Sequence, residues 1–405
     1  MTVAFVELLA PGARWLRDSN NASGVRAARR LGHRVLVLTR QRNSDRGSVS
    51  DLVDRWIECD TTSGHAVAAA LRQHDVDLVI SWIDPFAGVA REAAVLLGLD
   101  RVIGAAAMQT LRTKAGVRAA LDKQGLPNAR WFLSDLDRNI GGLPLPPPLV
   151  VKPVDGFSSI DTRRVASSAE FDRALAAHRR RRTYGGGIHP VGQMICEEDL
   201  AGPLVSAEGS IMDGVAEVWG HTDRTMSARP YFVETSVAFS APPLHPDLDS
   251  YVQHICDAIG YLNGPFHCEA ILTAVGPVLV EMNARLAGGG IHSAIDLATG
   301  GDCAESVLRG YLGLRSGRLN ASRAVCIAHH VTERSGTVRG ISGRRDARSL
   351  TGVHDLICRV RPGETVMVSH SNADRLCSVI AQGACRKQAR ATAEQALSMV
   401  EISIE

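Results

Sequence analysis

Phe266-His267-Cys268-Glu269-Ala270-Ile271-Leu272 and, past a glycine at 276, Val278-Leu279-Val280-Glu281-Met282-Asn283-Ala284-Arg285 form the most informative stretch of the chain. Two apolar runs on either side of a turn read as the antiparallel strands of one hairpin. A turn centred on Val275 sets Glu269 directly opposite Glu281. Asn283, two residues further along the strand, shares their face. Opposed carboxylates repel, so their place inside apolar strands is best explained by a hard cation between them. Three oxygen donors with no His or Cys suit Mg²⁺. Alternation puts Arg285 on the same face, aimed at whatever anion the metal holds. Without the metal, the two glutamates are expected to carry an uncompensated repulsion. The bland reading of the pair is an exposed, charged hairpin face.

Upstream, Leu149-Val150-Val151-Lys152-Pro153 is an apolar strand ending in a lysine. It runs into Asp155-Gly156-Phe157-Ser158-Ser159, a loop able to fold its N–H groups around phosphate. Lys114 opens a helix that reaches Lys123. Only Lys114, Lys123, Lys152 and Lys387 among the 45 basic residues are lysine. Two of these compact ammonium groups therefore mark element boundaries suited to phosphate contact, though a boundary lysine is also an ordinary surface residue. Either should be removable for less than about 0.5 kcal/mol, since no core cavity opens. Met194-Ile195-Cys196-Glu197-Glu198-Asp199-Leu200 runs into three acids and then a Gly202-Pro203 break. That is either a hinge whose backbone pairs with the edge of an adenine or a plain acidic loop.

Further outward, residues 1–104 alternate strand (3–8, 34–39, 77–82) and helix (23–31, 66–73, 86–97), the rhythm of a small parallel sheet with helices on both faces. The first loop lacks G-x-G-x-x-G, so this part reads as one wall of a cleft rather than a dinucleotide site. Gly141 to Pro148 is a stiff extended loop. Beyond it, 191–197, 206–212 and 216–220 suggest an antiparallel sheet, followed by a helix over 247–259. Residues 170–182 read as one amphipathic helix whose basic end, His178 to Arg182, suits a helix C-terminus. The tail, 321–405, adds short strands and a helix near 388–400.

At 405 residues and 45% hydrophobic the chain has material for two or three cores. With 45 basic against 43 acidic groups, it has no global field for nucleic acid or a membrane surface. The nine cysteines stand singly, without CxxC, and point to reduced thiols in the cytoplasm. No signal-peptide pattern opens the chain and no apolar run approaches ~18 residues.

In this order, Lys114, Lys152, the acidic hinge and Glu281-x-Asn283-x-Arg285 resemble the ATP-grasp superfamily, and within it the L-amino-acid (dipeptide) ligases of the bacilysin synthetase type. The resemblance implies an α/β N-terminal domain (1–108), an α+β ATP-grasp central region (109–320) and a small α+β C-terminal closing domain (321–405). It implies that Lys114 and Lys152 bind ATP phosphates beneath the Ser158-Ser159 loop, and that Glu197, Glu198 and Leu200 hold adenine. It further implies that Glu269, Glu281 and Asn283 bind one or two Mg²⁺, with Mn²⁺ able to substitute. Arg285 would stabilise an acyl phosphate, beside substrate contacts from Glu234, Gly288 and Gly289. The activity implied is amide formation from a small-molecule carboxylate and an amine, at least one an amino acid, releasing ADP and phosphate. A homodimer is compatible with it. Two other readings stay open: a carboxyphosphate-forming enzyme akin to biotin carboxylase, and a nucleotide-binding protein without turnover. The chain departs from the family at Ser158-Ser159-Ile160-Asp161, poorer in glycine than usual. It departs again at Pro230 to Val237, which keeps the family's Glu as Glu234 but has Val237 for its His. From this, Glu234 is expected to hold a substrate ammonium, or else to pair with a neighbour such as Arg229.

Overall fold

The computed structural model describes residues 1–7, 19–40, 47–84, 86–99, 102, 104–136, 143–184 and 188–405. Leu8, Gly141 and Gly142 lie outside the described residues.

Thr2–Val6 is paired in parallel on both sides, with Arg34–Thr39 and Leu78–Ile80, and Arg55–Glu58 completes a four-stranded sheet. Val3, Phe5, Val35 and Val37 pack with helix Asn20–Arg30. Ala4, Val6, Leu36 and Leu38 pack with helices Gly64–Leu71 and Phe86–Leu96 on the other side. A strand buried on both faces needs an unbroken apolar run, and these strands have one. Ser19 and Ser63 cap the first two helices by accepting from Ala22 N and Ala66 N.

Two antiparallel sheets follow where the sequence suggested one. In the smaller, Trp131–Asp135, Gln193–Glu198, Leu149–Pro153 and Arg163–Val165 lie in that order. Helix Ser168–Arg179 backs it through Phe171, Ala174 and Leu175. The chain then leaves this sheet at Gly202, whose φ is +147° and whose absent Cβ would fall 2.1 Å from the Leu272 carbonyl oxygen. Only glycine tolerates that approach. This break assigns the strand near 191–197 and those at 206–220 to different sheets. The helix expected over 170–182 also ends early, at Arg179. Arg181 turns away to bond both carboxylate oxygens of Asp161.

The larger sheet has eight strands, in the order Gly276–Asn283, Gly264–Thr273, Leu204–Met212, Val215–Met226, Glu234–Ser240, Ala324–His330, Cys377–Gly383 and Val353–Cys358. It runs without interruption across residue 320, because Ala324–His330 pairs directly with Glu234–Ser240. Helix Arg386–Ser398 covers this junction through Ala389 and Ala393. The last strand, Glu401–Ile404, joins Gly336–Ser342 and Thr365–Val366 in a three-stranded sheet. Among the described residues no helix is long and apolar enough to cross a membrane.

Candidate active site

A cleft of about 380 Å³ opens between the smaller antiparallel sheet and the Gly276–Asn283 edge of the larger one. Every site residue picked out above lines it: Lys114, Lys152, Ser158, Ser159, Glu197, Glu198, Leu200, Glu234, Glu269, Glu281, Asn283, Arg285, Gly288 and Gly289.

Glu269 does lie opposite Glu281, but for a different reason than a turn at Val275. The hairpin turns through Ala274-Val275, with Thr273 paired to Gly276, and this register carries Ala270 opposite Leu279. A one-residue bulge at Val280 then brings Glu281 across from Glu269. The bulged edge leaves carbonyls looking outward, and two cations serve them. Arg118 donates to Leu279 O (2.6 Å) and Val280 O (3.2 Å), and Lys152 to Val280 O (3.2 Å).

Both glutamates are ionised. Burial opposes ionisation of Glu269, but Arg224, His267 and Arg285 outweigh it and hold the carboxyl well below its usual range. Burial and the Glu269 charge likewise raise Glu281, and Lys114, 2.8 Å away, brings it below its usual value. The expected bare repulsion is therefore already offset by Lys114. His267 bridges Glu208 (2.7 Å) and Glu269 (3.0 Å); despite burial these anions raise its pKa to about 9, so it is an imidazolium at neutral pH. Among the described residues no group of three His, Cys, Asp or Glu side chains is placed to hold a metal by itself. Two ionised carboxylates with the Asn283 amide beside them are nonetheless a donor set suited to a hard dication.

The two lysines differ. Lys114, at the first turn of helix Lys114–Gln124, spans Glu281 and the Gly156 carbonyl oxygen of the loop. Lys152 is 4% exposed and 2.8 Å from Glu197, whose other oxygen takes Arg118 Nε at 2.9 Å. Against burial, Arg118 and then Lys152 bring the Glu197 carboxyl down to about 2. The expectation that either lysine can be lost at little cost is thus corrected for Lys152. Lys152→Ala should cost about 1–3 kcal/mol, because Glu197 and Val280 O each lose a buried partner. Lys114→Ala should cost less. Ligand-free thermal melts decide this; a Lys152→Ala protein melting with wild type overturns it.

The acidic hinge divides similarly. Glu197 lies in a strand paired on both sides, and Glu198 bonds Arg130 through both carboxylate oxygens and its backbone N–H. Glu198 is the last residue of its strand, and Leu200 lies beyond the strand end.

Both Glu234 carboxylate oxygens already have guanidinium partners. One oxygen takes Arg224 Nε at 2.6 Å and the other takes Arg375 Nη2, with Asn372 behind them. Arg229 is not its partner; that guanidinium lies 3.7 Å from Asp199 and over the Phe232 ring. Arg285 pairs with Asp84, which follows the parallel-sheet strand Leu78–Ile80. Gly289, at φ +66°, leaves open the space in front of Arg375 Nη1, which a Cβ would approach to 3.3 Å.

The glycine-poor loop adopts glycine-like conformations with ordinary residues: Ser158, Ser159 and Asp161 have φ of +54°, +57° and +55°. The loop is held by Asp161, bonded to Arg181 and the buried His178, and by Asn372 N donating to Ser158 O at 3.3 Å. Left-handed backbone costs a non-glycine residue about 1–2 kcal/mol. Glycine returns part of that gain as unfolded-chain entropy, so Ser159→Gly should stabilise by a net ~0.5–1 kcal/mol. Equilibrium denaturation tests this; a destabilised variant contradicts the strain.

Arg118, Arg224 and Arg375 were not picked out from the sequence, yet each is at most 2% exposed at the side chain and organises the cleft. Only Arg118 left a trace, four residues after Lys114 on the same helix face.

Residues 145–293 match the sequence family described as the ATP-grasp domain, and residues 329–405 that described as L-amino acid ligase C-terminal domain 2. The solved L-amino acid ligase from Bacillus licheniformis superposes with a TM-score of 0.81 at 19% identity, covering 100% of this chain and 98% of that one. Phosphoribosylglycinamide synthetase from Anaerococcus prevotii gives 0.70 at 13% identity, with 100% and 99% covered. The chain therefore has the ATP-grasp fold. Among proteins of that fold it resembles the L-amino acid ligases, whose C-terminal domain its own C-terminal region matches. Among curated proteins it is 29% identical over 264 residues to the uncharacterized protein y4rH of Sinorhizobium fredii, covering 64% of this chain and 53% of that protein. It is 27% identical over 145 residues to Dapdiamide A synthase of Enterobacter agglomerans, covering 35% and 34%. The matches thus span about half the length of the first relative and a third of the second.

Proposed function

We propose that this chain is an ADP-forming carboxylate–amine ligase that makes an amide bond through an acyl phosphate. The observation that carries the reading is the meeting, in one cleft, of an opposed and ionised Glu269–Glu281 pair with Lys114, Lys152 and Arg285. In this reading Lys114 and Lys152 face the nucleotide phosphates, and the segment past Glu198, at Leu200, offers backbone to adenine. Glu269, Glu281 and Asn283 would hold Mg²⁺, which when bound supplies charge neutralisation for the phosphates. Arg285, oriented by Asp84, stabilises negative charge as the substrate carboxylate attacks the γ-phosphate and as the amine later displaces phosphate. The L-amino acid ligase likenesses support an amino acid as one substrate. Nine free cysteines support a reducing, cytoplasmic setting.

Glu234 is held between two guanidiniums, so in this reading the ammonium of that substrate is read by another group of the cleft. ADP release measured over a panel of carboxylates and amines tests the proposal. Release that requires one of each supports a ligase; dependence on bicarbonate favours the carboxyphosphate chemistry instead. No ADP from any pair sinks the reading.

A further inference from the structure

Cys358 ends Val353–Cys358, the outermost strand of the eight-stranded sheet, and Cys377 begins its neighbour, Cys377–Gly383. They are direct cross-strand partners, with Sγ atoms 2.9 Å apart and both thiols free. The chain between them, 359–376, makes the excursion that brings Arg359, Asn372, Ala373 and Arg375 to the cleft.

We propose that Cys358 and Cys377 are a peroxide-reactive dithiol that closes to a disulfide and staples the base of this cleft-lining excursion. Neighbouring strands already hold the sulfurs within about 1 Å of bonding distance, so closure asks for little backbone movement. The pair is also asymmetric. Cys358 is half-buried on an edge strand, whereas Cys377 is buried. The two thiols share a hydrogen bond, and the Arg344 and Arg348 guanidiniums lie nearby; together these favour the Cys358 thiolate and bring Cys358 down to about 7 against its burial. Cys358 is then the nucleophile and Cys377 the resolving thiol. Burial pushes the Cys196, Cys256, Cys268, Cys303 and Cys326 thiols up, which leaves them poor competitors.

The chemistry balances with hydrogen peroxide as oxidant. The Cys358 thiolate attacks one peroxide oxygen; an S–O bond forms, the O–O bond breaks and hydroxide leaves. The Cys377 sulfur then attacks Sγ of the sulfenic acid. The S–S bond forms, the S–O bond breaks, and the hydroxyl departs with the Cys377 proton as water. Two thiols have lost two electrons and the peroxide has gained them.

Stoichiometric hydrogen peroxide added to the reduced full chain tests this, read by intact mass and peptide mapping without reduction. The expected result is a loss of about 2 Da, one cross-linked pair of peptides carrying Cys358 and Cys377, reversal by a dithiol reductant and a raised melting temperature. Cys377→Ser should instead leave a dimedone-reactive sulfenic acid at Cys358. The proposal is overturned if exposed Cys385 or half-buried Cys59 oxidises first while Cys358 and Cys377 still alkylate. Mapping of the wild-type chain decides the matter alone should the variant not fold.

Discussion

Arg118→Met is expected to destabilise the protein by about 3–5 kcal/mol. Arg118 side-chain nitrogens reach Glu197 (2.9 Å), Asn128 (3.0 Å), Leu279 O (2.6 Å) and Val280 O (3.2 Å) from a position 2% exposed to solvent. It therefore ties helix Lys114–Gln124 to the small sheet through Glu197 and to the bulged edge of the large sheet through two carbonyls. Methionine fills similar volume but leaves those carbonyls without this donor and Glu197 with Lys152 alone. Arg118→Lys should rescue little, since a single ammonium cannot span partners set by a planar fork. Chemical denaturation read by circular dichroism, together with proteolysis, measures the effect. A variant as stable as wild type would mean that the two sheets hold together by other contacts.

Glu281→Gln should lower turnover about 10²–10³-fold while shifting ligand-free stability by less than ~1 kcal/mol. The second expectation follows from Lys114: a glutamine oxygen still accepts its hydrogen bond, and only the charge is lost. The carboxylate facing Glu269 disappears, and with it one of the two negative charges of the proposed metal site. Binding of MgATP raises stability in proportion to affinity, so the rise in melting temperature that MgATP gives wild type should largely vanish in the variant. If melts with and without MgATP show the same rise in both proteins, Glu281 takes no part in holding the metal.

The hairpin was legible because register and alternation are local properties, and carboxylates inside an apolar strand stand out whatever their distant partners. Even so, the pairing of Glu269 with Glu281 survived through a bulge at Val280 that no residue type announces. The parallel sheet was legible for a similar reason, since residues 3–6 and 35–38 need only be apolar on both faces. What could not be read was the wiring between distant segments. Glu234 found Arg375, 141 residues away, and Glu197 found Arg118, 79 residues away. In a chain that writes nearly every cation as arginine, residue type alone distinguishes none of these partners. The early end of the helix before Arg180 was hidden likewise, because Arg181 is claimed by Asp161 in a loop rather than by its own helix.

The uninterrupted sheet has a consequence for how this chain can be divided. Glu234–Ser240 and Ala324–His330 exchange ladder hydrogen bonds across the place where a domain boundary was expected. A chain cut near 320 would lose three of the eight strands and end on an unpaired Glu234–Ser240, whose Val237, Ala238 and Phe239 are each at most 2% exposed in the full protein. Such a raw, apolar edge is a template for pairing with other chains. The residues up to 320 are therefore not a separable minimal enzyme; expressed alone they should run as aggregates in size-exclusion chromatography, where the full chain does not. The C-terminal segment is masonry in the same wall, and its inward excursion, 359–376, sets Arg375 against Glu234 from that side.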